Sequence, residues 1–123
     1  MDISTGVADL HLHTTASDGT CTLEDRINQA HKIGLSTIAI TDHDTIANSI
    51  EYRVTHQESL EIITGVEIRA DVLGTKIELL GYYINPNDEP LEDRLKQVRD
   101  YRRDRNYKII NQLNEITSLD RSY

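Results

Sequence analysis

The sequence predicts an α/β fold built on a parallel sheet and closed by a long helix. Three observations carry this. Short apolar, β-branched runs alternate with segments of helical period, which is the strand–helix–strand pattern of parallel sheets. Chemistry-bearing residues follow the ends of those runs, where ligands collect in such sheets. After the break at Asn85-Pro86-Asn87-Asp88, an apolar stripe at helical spacing, Leu91, Leu95, Val98, Ile109, Leu113 and Ile116, closes the chain as one long helix, about residues 88–119.

The first strand is read at Gly6 to His13, where Leu10 and Leu12 alternate with His11 and His13. Ser17-Asp18-Gly19 is turn chemistry. Thr22 ahead of Leu23-Glu24-Asp25 starts a helix with acids in its first turn; Leu23, Ile27, Ala30 and Ile33 keep helical spacing, and Gly34 stops it. Thr37 to Thr41 reads as a buried strand, with Asp42-His43-Asp44 at its carboxyl end. A second helix is expected from Ile46 to His56. A third strand spans Leu60 to Ile68. A turn at Leu73-Gly74-Thr75 leads to a fourth, Lys76 to Ile84, which Asn85-Pro86-Asn87-Asp88 breaks. The long helix runs from Glu89 to Thr117.

The chain has 123 residues, 37% of them hydrophobic and 28% charged, with no tryptophan and no phenylalanine. That suits one domain or part of one, with a core of Leu, Ile, Val and Tyr. No stretch approaches the roughly 18 apolar residues of a membrane span, and no basic-then-apolar leader is seen. The expectation is a cytoplasmic protein with no membrane partner. A net charge of −8 argues against broad binding to duplex DNA. Cys21 is the one cysteine and reads as a small half-buried residue.

Side chains two apart on a strand share a face, so His11 and His13 can offer two imidazoles to one ion. A pair of this kind at a strand end is more often a metal half-site than a plain polar end, though by itself the signal is moderate. Its weight rises because two further strands deliver His43 and Glu67 to the same rim. Asp18 and Glu67 add hard oxygen ligands, and Asp42 or Asp44 could orient the His43 ring. Mixed imidazole and carboxylate sites suit manganese, zinc or iron better than calcium. Such ions activate water and stabilise the oxygens of a phosphoryl displacement. The apolar stripe of the long helix, Leu91, Leu95, Val98, Ile109, Leu113 and Ile116, is interrupted by Arg102 and Arg105. Arginines on an inward face suit a phosphate. The alternative is that Arg99, Arg102, Arg103 and Arg105 form a solvated stretch paired with nearby acids.

"DLHLHTTASDGT", "ITDHDT", "GVEI" and "LLGYYI" together resemble the PHP (polymerase and histidinol phosphatase) family of metal-dependent phosphoesterases. The resemblance is closest to the branch of nucleoside 3′,5′-bisphosphate phosphatases and TrpH-type 5′-to-3′ exoribonucleases, and "RDRN" ahead of "KIINQLNE" is similar to that branch's arginine-bearing helix. It implies the N-terminal half of a distorted (β/α)7 barrel, mostly parallel, holding two or three divalent ions of manganese, zinc or iron, or magnesium. It implies His11, His13, Asp18, His43 and Glu67 as metal ligands and catalytic residues, with Glu67 as a bridge. A hydroxide on the metals would attack phosphorus, with Arg102 and Arg105 on the phosphate. The implied substrate is a small nucleotide or an oligonucleotide 5′ end; histidinol phosphate and a polymerase-associated role are alternatives. A non-catalytic metal-binding or interaction module is the third. The family carries a histidine where Glu78 stands, and glutamate can ligate a metal too.

The family's later ligands, another histidine and an Asp-x-His, have no match here; His31 and His56 lie outside the motifs and read as surface residues. A closed β/α barrel takes about 200 residues or more. The expectation is therefore a partial PHP domain over 1–123, weak or inactive alone, which self-associates through exposed half-barrel edges.

Overall fold

The computed structural model describes residues 7–47 and 50–117. Its elements are β1 (Ala8–Leu12), α1 (Leu23–Ile33), β2 (Thr37–Ile40), β3 (Val54–Gln57), β4 (Leu60–Val72), β5 (Thr75–Tyr82) and α2 (Glu89–Thr117). The α/β class read from the sequence holds, and the parallel ladder lies where expected. β1 pairs with β2, Ala8 opposite Thr37, and β2 pairs with β4, Thr37 opposite Glu61 and Ile40 opposite Thr64. Two antiparallel neighbours complete the sheet. β3 lies on the far side of β4, Val54 opposite Ile63, and β5 folds back along β4, Gly65 opposite Tyr82 and Val72 opposite Thr75.

Local chemistry explains the first crossover. The Thr22 hydroxyl accepts the Asp25 N–H at 3.1 Å while the Asp25 carboxylate accepts the Thr22 N–H at 3.0 Å, a reciprocal cap on α1. Gly34 ends the helix with φ at 89°, where a side chain would be strained. Ile27 and Ala30 then face Ile38, Ile40, Leu60 and Ile62 in the main core. A second core, Ile46, Val66 and Leu95, seats the first turns of α2 against β4.

One element departs from the sequence expectation. No described residue between Ile46 and His56 is helical; Asn48 and Ser49 lie outside the described residues. Val54 and Thr55 are β-branched and pair with Ile63 and Ile62 instead, completed by a tight turn in which Glu58 takes φ at 56°. Ile46 and Ile50, which mimicked helical spacing, are simply two anchors of an irregular segment buried in the cores. β4 also runs on past Ile68 to Val72, because β5 supplies backbone partners for its second half.

β4 changes neighbours at Gly65. A side chain there would meet the Gly81 carbonyl at 2.7 Å, the Thr41 methyl at 2.9 Å and the Ile40 carbonyl at 3.1 Å. Glycine is therefore what lets β2 and β5 both close on β4, just before the strand reaches Glu67. Beyond its first turns α2 leaves the cores: Tyr101, Ile109, Leu113 and Ile116 are exposed, as is Leu79 on β5. No helix among the described residues is long and apolar enough to cross a membrane.

Candidate metal centre

The parallel ladder delivers its polar ends to one place. β1 and the turn after it carry His11, His13 and Asp18; the chain leaving β2 carries His43; β4 carries Glu67. Glu67 lies mid-strand rather than at a strand end, but β2 stops at Ile40, so Glu67 sits just past the end of the ladder. Its N–H donates to the Asp42 carbonyl at 2.9 Å and its carbonyl accepts the Asp44 N–H at 3.0 Å. These backbone bonds lock His43 beside it.

Glu67 is buried, 2% exposed, and its Oε1 is the hub. His11 Nε2 lies 2.9 Å away, His13 Nε2 2.8 Å and His43 Nδ1 3.7 Å. Asp18 closes the other side, 2.6 Å from His13 Nδ1 and 3.2 Å from His43 Nε2. The rings of His13 and His43 stand edge to face with centroids 4.4 Å apart. Ligand atoms of His11, His13 and Glu67 all fall within 4.8 Å of one another, and so do those of His13, Asp18 and His43.

These residues fit divalent ions. Imidazole nitrogens and carboxylate oxygens are the donors that manganese, zinc and iron take. The His43 Nδ1 is closed off from solvent and has no hydrogen-bond partner, the kind of vacancy that a buried polar atom does not normally tolerate. Five ligand-type side chains, His11, His13, Asp18, His43 and Glu67, therefore meet at one rim.

The charges are mutually tuned. Burial pushes the Glu67 carboxyl up, but hydrogen bonds from His11 and His13 and the nearby His43 outweigh it and hold it at about 2. Burial pushes His13 down, and the carboxylates of Asp18 and Glu67 more than reverse this, so its pKa is raised above 6.5. The His13 hydrogen bond holds Asp18 below its usual range. The sign follows. His13 contributes stability in full below 6.5, and that contribution is lost as pH rises through its raised value. Melting curves of the metal-free chain are expected to shift to lower temperature across that window. Added zinc, which needs the deprotonated ring, is expected to stabilise more as pH rises. A zinc-induced gain that shrinks with rising pH contradicts this arrangement.

Glu78 on β5 lies diagonal to Glu67 on the same face of the hairpin, opposite Arg69, with which it pairs at 3.3 Å. It stands outside both three-residue groups. Arg102 meets the centre: its Nη1 lies 2.7 Å from Asp44 Oδ2, at the wall of a cavity of about 520 Å³ that Asp18 and His43 also line. Arg105 lines a separate cavity between the β4–β5 hairpin and α2. Asp42 and Asp44 do not reach the His43 ring, contrary to expectation. Asp42 turns to Thr14 and Ser17, and Asp44 to Arg102. His31 is half-buried rather than on the surface, with its Nε2 enclosed and unpartnered. His56 lies exposed in β3, not in a loop.

Sequence reasoning missed Ser17 and Tyr107 in the cavity wall and left open whether Arg99 and Arg103 face an anion or form a solvated stretch. The signal was present: residues 99, 103, 106, 107 and 110 recur at three and four positions and share one helix face. Arg103 and Arg99 do also pair with acids, Asp100 at 3.0 Å and Glu92 at 2.7 Å.

The family model described as the PHP domain matches residues 9–119. The chain belongs to the PHP family. A 5′-3′ exoribonuclease Rnm of Salmonella typhimurium is 36% identical over 110 residues, covering 87% of this chain and 38% of that protein. A 3′,5′-nucleoside bisphosphate phosphatase of Chromobacterium violaceum is 29% identical over 98 residues, covering 79% and 34%. A crystal structure of a Bifidobacterium adolescentis protein assigned as a metal-dependent phosphoesterase superposes with a TM-score of 0.71 at 29% identity, covering 88% of this chain and 38% of that one. This PHP chain thus spans 34–38% of the length of these relatives.

Proposed function

We propose that this PHP chain holds the divalent ions and part of the phosphate site of a phosphoric ester hydrolase acting on nucleotides or 5′-phosphorylated oligonucleotides. The observation that carries the reading is the convergence of two imidazole nitrogens within 2.9 Å of one buried carboxylate oxygen, beside a cavity walled by arginines. In this reading His11, His13 and Glu67 hold one ion, of manganese, zinc or iron, and Asp18 and His43 hold a second. Such ions, when bound, polarise a phosphate oxygen and make water a nucleophile at neutral pH.

The chain's own residues do the rest. Arg102, anchored by Asp44, presents its free guanidinium edge to the cavity and grips the phosphate. Tyr107 and Ile110 offer an apolar wall for a base or sugar. Glu78 adds a carboxylate beside Glu67, and Arg105 lies further along α2 for a more distant phosphate. The long, exposed arginine helix beside the metals, and relatives named for RNA and nucleoside bisphosphates, favour nucleotides over histidinol phosphate. A cytoplasmic setting and association through the exposed faces of β5 and α2 belong to the same reading.

The test is phosphate release from a nucleoside 3′,5′-bisphosphate and from a 5′-phosphorylated oligoribonucleotide, with manganese and with a chelator. Slow, manganese-dependent release that the chelator abolishes is expected. Arg102→Ala is expected to raise KM about 10- to 100-fold, the worth of a charged hydrogen bond, and to leave ion uptake unchanged. A chain that takes up no divalent ion and releases no phosphate contradicts the reading.

A further inference from the structure

Asp42 follows the strand that leads to His43, and its carboxylate is wholly buried, 0% exposed. It contacts no imidazole through any hydrogen bond. Instead the turn after β1 converges on it. The Thr14 N–H donates to its Oδ1 at 2.7 Å, the Thr14 hydroxyl to its Oδ2 at 2.7 Å and the Ser17 hydroxyl to its Oδ1 at 2.6 Å. The Thr14 hydroxyl also accepts the Ala16 N–H at 3.1 Å, which leaves its own proton free to point at Asp42. A carboxylate stripped of water is costly unless it is satisfied in this way. A neutral apolar residue would fill the same space without that demand.

What the three bonds hold is the turn that carries Asp18. The turn is packed so closely on the end of β1 that a side chain at Gly19 would meet the His13 and Thr14 backbone at 2.9 Å. The Gly19 N–H closes it onto the Thr14 carbonyl at 2.9 Å. Asp18 itself is mostly exposed, 62%, and among the described residues the other side chains against its carboxylate are His13, His43 and, weakly at 3.4 Å, Ser17. Its place opposite the two rings is therefore set from behind, by the backbone of the turn. Through its carbonyl, Asp42 also accepts the Glu67 N–H at 2.9 Å. One residue thus ties together the three segments that bring the ligands.

We propose that Asp42 is a positioning residue of the metal centre: its buried carboxylate sets the Thr14–Gly19 turn so that Asp18 meets the ion shared with His43. This rests on the metal reading above and names a residue that does not ligate. Partners of this kind alter metal affinity about 10- to 100-fold when removed.

The test is a competition titration of the full chain with zinc against a chromophoric chelator, for wild type, Asp42→Asn, Asp18→Ala and the double variant. Asp42→Asn is expected to weaken, by about 10- to 100-fold, the same ion that Asp18→Ala weakens. Any ion that Asp18→Ala leaves alone is expected to keep its affinity. In the Asp18→Ala background, Asp42→Asn is expected to cost no further affinity. Should Asp42→Asn fail to fold, Thr14→Val removes one of the three donors and is expected to weaken that ion alone by a smaller factor. The assignment is overturned if Asp42→Asn weakens an ion that Asp18→Ala does not touch, or if its effect persists in the Asp18→Ala background. It is equally overturned if Asp42→Asn and Thr14→Val bind every ion as wild type does. A wild-type chain that binds no zinc overturns the metal reading itself, and this assignment falls with it.

Discussion

Glu67→Ala is expected to abolish ion uptake at the His11–His13 side of the rim and to lower metal-dependent phosphate release about a thousandfold. The magnitude follows from the several kcal/mol that a bound divalent ion contributes to phosphoryl transfer, each 1.36 kcal/mol being a factor of ten. Glu67 carries this weight because one of its oxygens faces three imidazoles, at 2.9, 2.8 and 3.7 Å. Glu67→Gln separates chemistry from packing. It fills the same buried space beside Val66 yet lacks the charge, so the fold is expected to persist while ion affinity falls. Isothermal titration with manganese, paired with a melting curve, checks both. A Glu67→Gln chain that binds manganese as wild type does would remove Glu67 from the centre.

Ile38→Ala is expected to destabilise the chain by about 2–5 kcal/mol, the cost of a cavity in a closed core. Ile38 is wholly buried in β2, between Asp9 on β1 and Ile62 on β4 in the parallel ladder. That loss is a large share of the roughly 5–15 kcal/mol that a small domain has in total. Ile33→Ser, on the exposed end of α1, is expected to change stability by no more than about 0.5 kcal/mol. Denaturant unfolding of the two variants measures the contrast. Equal costs at the two positions would mean that the sheet is not built in this register.

The parallel half of the fold was legible because its residues agree at every level. Thr22 caps, Gly34 stops, and Thr37 to Ile40 are β-branched or small and buried on both faces. The His-x-His pair and His43 were legible because strand alternation puts His11 and His13 on one face and the carboxyl end of the neighbouring parallel strand puts His43 at the same rim. The segment from Ile46 to Gln57 was not legible. Ile46 and Ile50 lie at helical spacing, but a strand partner that follows them in sequence, β4, claims Val54 and Thr55. Local period cannot reveal a pairing made by later residues. The arginine helix was half legible. Its apolar interruption pointed to Arg102, while the split between Arg102 and Arg105 depends on where the β4–β5 hairpin lies across α2. The targets of Asp42 and Asp44 were hidden too, because both lie past the end of β2, where Asp44 takes φ at 53° and strand alternation no longer sets side-chain direction, and only the fold says what stands there.

Binding of divalent ions at the rim is checked most directly by an anomalous-difference map from crystals of this chain soaked in manganese or zinc. A peak flanked by His11, His13 and Glu67 is expected, and a second beside Asp18 and His43. Binding at the rim is contradicted if the soaked crystals carry their ions elsewhere and the three imidazoles keep their carboxylate partners undisturbed.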